Sequence, residues 1–70
     1  MNWSELQSQF YQTFAESIDT EKCITKFGEA RTCYGLTHVL ACAARGRMPK
    51  MSAVNYAMGI MRHCTEKDML

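Results

Sequence analysis

The chain has 70 residues, 47% of them apolar, with six Met, four Gly and a single Pro. That composition excludes a disordered or fibrous chain, and the length allows one domain with a modest core, so that a monomer would be marginal and oligomerisation or a partner would help. The formal net charge of +1 hides a division, because residues 1–21 carry −4, residues 22–65 carry +6 and the last five residues carry −1, an asymmetry that hints at a nucleic acid or acidic partner unless an acidic first helix simply lies beside a basic remainder.

In chain order, Asn2 followed three residues later by Glu5 reads as an N-cap with its capping-box partner. Trp3, Leu6, Phe10, Phe14 and Ile18 then recur at helical spacing, which predicts a first, acidic helix over 3–18 with one buried stripe and Glu5, Gln9, Gln12, Thr13, Glu16 and Ser17 solvated. Trp3, at the start of this helix, is a candidate interface anchor. Asp19-Thr20 supplies caps for a short helix over 21–27, whose apolar side is Cys23, Ile24 and Phe27. Gly28 ends it, since glycine reaches left-handed backbone at little cost.

A third helix is expected over about 30–45, with Cys33, Leu36, Leu40 and Ala43 inward and Val39 beside them. Gly35 within it, and the small run Ala41-Cys42-Ala43-Ala44, predict close approach of another helix. Gly46 and Pro49 then break the chain in the basic turn Arg45-Gly46-Arg47-Met48-Pro49-Lys50. A last helix follows over about 52–65, opened by Ser52 or Pro49, with Met51, Val54, Met58 and Met61 as its inward stripe and Ser52, Asn55, Gly59 and Arg62 on other faces. The tail, 66–70, is expected to fray. The whole reads as an all-α, compact three- or four-helix domain whose basic part, 22–65, contains a helix-turn-helix-like pair.

The segment Gly46–Val54, GRMPKMSAV, resembles the turn and recognition-helix start of phage small-terminase-type helix-turn-helix domains, in which a Met-Pro turn leads to Ser and then Val. The chain departs from that pattern after Val54, where Asn55 and Tyr56 stand in place of the usual Arg and Trp. KCITKFGEART also bears a fainter likeness to helix-turn-helix domains of phage repressors, departing from them at Glu29. The resemblance implies that Arg45, Arg47 and Lys50 contact phosphates and that Ser52 and Asn55 face base edges. Asn pairs bidentately with adenine, and a helix N-terminus favours phosphate, so the chemistry is consistent. Three or four phosphate contacts give weak, salt-sensitive affinity, so this reading requires a homodimer.

The rival reading is a small phage-type or mobile-element inhibitor or adaptor that binds protein and blocks a host complex. Its interface would use Trp3, Met48 and Tyr56, soft or aromatic side chains that adapt to partners, with Arg62 and the basic turn meeting an acidic surface. Partners are therefore DNA or a nucleic-acid-associated protein complex. No apolar run approaches the roughly 20 residues of a membrane span, and MNWSELQSQF lacks the regions of a leader peptide, which points to a cytoplasmic chain with Cys23, Cys33, Cys42 and Cys64 as reduced thiols. A Cys2His2 zinc site can be written from His38, Cys42, His63 and Cys64, but the short paired spacing is missing on both halves. No catalytic motif is present, and neither a metal, a cofactor nor a small-molecule substrate is expected.

Overall fold

The computed structural model describes residues 2–70. The first helix, α1, spans Trp3–Phe14, and the Asn2 side chain accepts from the Glu5 N–H at 3.1 Å, as the capping pattern predicts. The helix stops four residues earlier than its apolar spacing implies. Ala15 turns left-handed at φ 56°, and its N–H closes the last turn on the Tyr11 carbonyl at 2.7 Å. Ile18 is still buried, but it reaches the core from the irregular 15–19 connection, not from a helix. A stripe in sequence therefore outlasts the helix that produced it.

Helix α2 spans Thr20–Phe27, with Asp19 accepting from the Lys22 N–H at 3.0 Å. Gly28, at φ 91°, is the only residue between α2 and the next helix. Its N–H donates back to Ile24 and its carbonyl accepts from Thr32, so one glycine serves both helix ends.

Helix α3 spans Glu29–Ala44 and buries Thr32, Gly35, Leu36 and Val39. The inward face is thus rotated from the expected one, since Cys33, Leu40 and Ala43 are only half-buried. The cause is that α3 is packed from several sides, by α1, α2 and α4, so that its most enclosed line is set by where the neighbours approach closest. That place is Gly35. A Cβ there would stand 2.6 Å from Met61 Cγ and 3.1 Å from the Ala57 carbonyl oxygen, so only glycine permits the approach. The expected close contact is real at Gly35, whereas Ala41 and Ala44 in the small-residue run are exposed.

After α3 the chain turns through Gly46, at φ 65°, with the Gly46 and Arg47 amides donating to the carbonyls of Ala43 and Cys42. Helix α4 spans Ala53–His63 and is capped by the Ser52 hydroxyl, which accepts from the Asn55 N–H at 3.1 Å. Its buried line is Ala53, Ala57 and Met61, replacing the expected Met51, Val54, Met58 and Met61. Small residues face α3 because the backbones are close, which leaves Val54 and Met58 half-buried on the flanks and Met51 outside, 53% exposed. Lateral contacts recur from Arg31 against Cys64, through Gly35 against Met61, to Cys42 against Tyr56. Helices α3 and α4 therefore run antiparallel along most of their length.

The tail expected to fray forms turns. Thr65 and Asp68 exchange reciprocal bonds, Thr65 N–H to Asp68 Oδ2 at 2.9 Å and Asp68 N–H to Thr65 Oγ1 at 3.3 Å, and turns continue through residue 69. All-helical in its regular structure, the domain gathers Phe10, Ile18, Cys23, Leu36, Val39, Ala53, Ala57 and Met61 into one core. Its radius of gyration, 11.0 Å, equals the roughly 11 Å of a compact single domain of this length.

Candidate binding surface

The α3–α4 connection carries the basic cluster. Arg45, Arg47 and Lys50 are exposed, as are Ser52 and Asn55, so five of the six sequence candidates lie within eleven residues around one end of the α3–α4 hairpin. Arg62 is also exposed but sits near the far end of α4. It shares the Asn55 face, seven residues on, at a helical rise of about 10 Å. The cations are thus a cluster of three with a fourth displaced along the helix.

Trp3, Met48 and Tyr56, the expected interface side chains, are only partly exposed. All three are half-buried and pack against the core, because so short a chain has few large side chains with which to close its interior. The Tyr56 phenol lies against Cys42, and desolvation, then the hydrogen bond and charge of Cys42, push its pKa up. Among the described residues the exposed large apolar side chains are Tyr11, on the outer side of α1, Met51, beside the basic turn, and the terminal Leu70.

Two further residues shape this surface, and neither has a signal in the sequence. Glu16, expected on a solvated face, reaches across the fold to the start of α4. Its Oε2 accepts from the Ala53 N–H at 2.8 Å and its Oε1 from the Val54 N–H at 3.2 Å. A carboxylate is a favourable occupant of a helix N-terminus, satisfying amides that the helix cannot and meeting its positive end. Arg31, counted with the basic half, does the converse at the other end of α4. Its Nη1 donates to the carbonyls of Cys64 at 2.6 Å and Met61 at 3.2 Å. Nothing in local spacing pairs residue 16 with 53 or 31 with 64; only the packed fold brings them together.

The free thiols Cys23 and Cys64 are buried, and Cys33 and Cys42 are half-buried. Burial, with the Asp19 carboxylate nearby, pushes the Cys23 thiol pKa up despite Lys22 and Lys26. Among the described residues no three His, Cys, Asp or Glu side chains converge as metal ligands. His38 stacks on Tyr34, with centroids 5.5 Å apart, and His63 is exposed. Among the described residues no helix is long and apolar enough to cross a membrane.

A scan against family models matches none, and searches of curated proteins and of solved structures return no significant match. The surface must be interpreted from its own chemistry.

Proposed function

We propose that the chain is a small non-enzymatic regulatory protein that docks on an acidic protein surface through the α3–α4 turn, in the manner of a phage-type inhibitor or adaptor that blocks a larger complex. The observation that carries this reading is Glu16 on the first amides of α4. A helix-turn-helix reader uses that helix start against phosphate, but here a carboxylate already fills it. The cover of α4 agrees, since only Asn55, Arg62 and His63 of its eleven residues are exposed. Arg45, Arg47 and Lys50 supply steering and specificity towards an acidic partner, while the neighbouring exposed Met51 supplies adaptable apolar contact. Four free cysteines fit a reducing compartment such as the cytoplasm.

Nucleic-acid binding is the second reading, favoured by the exposure of Arg45, Arg47 and Lys50 together with Arg62 on the Asn55 face. It requires a homodimer for useful affinity. The two separate by titration of a poly-glutamate peptide and a random duplex DNA at matched ionic strength. The protein reading expects the peptide to bind, and the triple variant Arg45→Ala, Arg47→Ala, Lys50→Ala to abolish that binding. Tight duplex binding that falls about a hundredfold between 50 and 200 mM salt, as roughly four phosphate contacts dictate, would reverse the order of the two readings.

A further inference from the structure

We infer that Glu16 determines which acidic partners the basic turn accepts: it is the chain's own anion at the start of α4, and by staying there it excludes phosphate and leaves the turn to carboxylate-bearing protein surfaces. This rests on the turn being the docking surface and adds to it a specificity-determining residue outside the turn.

Three facts combine. The Glu16 carboxylate spans two successive amides, Ala53 and Val54, with one oxygen on each, the two-point contact that a phosphate would otherwise make. Lys50 stands three residues before Ala53, so its backbone lies no more than about 11 Å from the residue whose amide the carboxylate holds. The carboxylate is half-buried and comes from the connection after α1, where the left-handed turn at Ala15 redirects the chain. Two hydrogen bonds to backbone amides thus set its position. A phosphate arriving at the turn meets a like charge and amides already satisfied. Acidic side chains from a protein need only the exposed ends of Arg45, Arg47 and Lys50, which project from the turn itself. This is discrimination through a repulsive element, set beside the attractive one.

The test compares the wild type with Glu16→Gln and Glu16→Ala, each with and without the triple alanine change in the turn, with inorganic phosphate and a random duplex DNA as probes. Helical circular dichroism and a urea midpoint confirm folding. Glu16→Gln keeps a side-chain oxygen for one amide and removes only the charge, so it preserves the test if Glu16→Ala unfolds. A folded charge-neutral variant should bind duplex DNA about tenfold more tightly than the wild type, and in Glu16→Ala phosphate should shift the amide resonances of Ala53 and Val54. Folded variants with unchanged DNA affinity and silent amides overturn the inference. A gain that survives loss of Arg45, Arg47 and Lys50 leaves the Glu16 effect standing but overturns the turn as the docking surface. A gain in poly-glutamate binding equal to the gain in DNA binding overturns the discrimination, because removal of a charge would then favour every anion alike.

Discussion

Gly35 and Gly59 occupy helix interiors, yet they predict opposite outcomes. Alanine improves helix propensity by up to about 1 kcal/mol over glycine at either position. At Gly59 a Cβ meets nothing within 4 Å, so Gly59→Ala should raise the urea-derived stability by about 0.5–1 kcal/mol. At Gly35 the Cβ would collide with Met61 Cγ and crowd the Ala57 carbonyl, and separating α3 from α4 should cost about 1–3 kcal/mol. An equal gain at both positions would show that the two helices are not in that contact. Ala15 presents the reverse case, a side chain in left-handed backbone at φ 56°. Ala15→Gly should therefore stabilise the protein in the same urea series, by up to about 1 kcal/mol, reduced by the greater freedom of the unfolded glycine. Cys23 should make stability pH-dependent. Its folded pKa lies above the ordinary thiol value, so its contribution is fully present below the ordinary value and is lost as pH rises from there through the raised folded value. Urea midpoints measured upward from neutrality should fall in the alkaline range, and Cys23→Ala should flatten that part of the curve.

Among the helices, α4 is the one most dependent on others. It has a local cap in Ser52, but its first amides also take Glu16 and its last carbonyls take Arg31. Replacing Arg31 by Met keeps much of the apolar stem and removes the charged donor, leaving the Cys64 and Met61 carbonyls without that partner. The expected loss is about 1.5–3 kcal/mol, together with faster amide hydrogen exchange in the last turn of α4 than in its first. Uniform acceleration along the helix would instead indicate global destabilisation. At this scale the sequence was legible wherever the cause is local. The caps Asn2, Asp19 and Ser52, the breaks at Gly28 and Gly46, and the existence of each helix follow from neighbours a few residues apart. The end of α1 was not legible, because Ile18 continues the apolar spacing while the backbone has already turned. The inward faces of α3 and α4 were illegible for a related reason: hydrophobicity ranks Met and Leu above Gly and Ala, but a close helix pair puts its smallest residues at the contact.

Across the whole molecule, the division of charge has a structural expression narrower than composition implies. Helix α1 packs on α3, and of the acidic side chains of the first part Glu16 reaches α4, where it holds backbone amides and not a basic side chain. Arg45, Arg47, Lys50 and Arg62 stay exposed. Turn chemistry made the basic surface readable in advance, whereas its regulator required the tertiary fold to be known. The packing also orders the thiols. In native buffer an alkylating reagent followed by mass spectrometry should modify Cys33 and Cys42 before Cys23 and Cys64, and all four should react at once in denaturant. Protection of Cys23 and Cys64 would then report opening of the whole domain, since one lies on the buried side of α2 within the core and the other closes the end of α4.

The two distant caps of α4 have a consequence for how the chain can be divided. A segment whose positive end waits for one foreign acid and whose negative end waits for one foreign base carries its own docking instructions. A fragment ending at residue 51 retains Glu16, Arg31 and the Gly35 notch with nothing seated in them. A synthetic peptide of residues 52–70 should be unstructured alone, gain helix on mixing with that fragment, and fail to do so when the fragment bears Glu16→Lys and Arg31→Glu. Reversing the peptide would present each end of its dipole to a like charge, so complementation should have a single orientation.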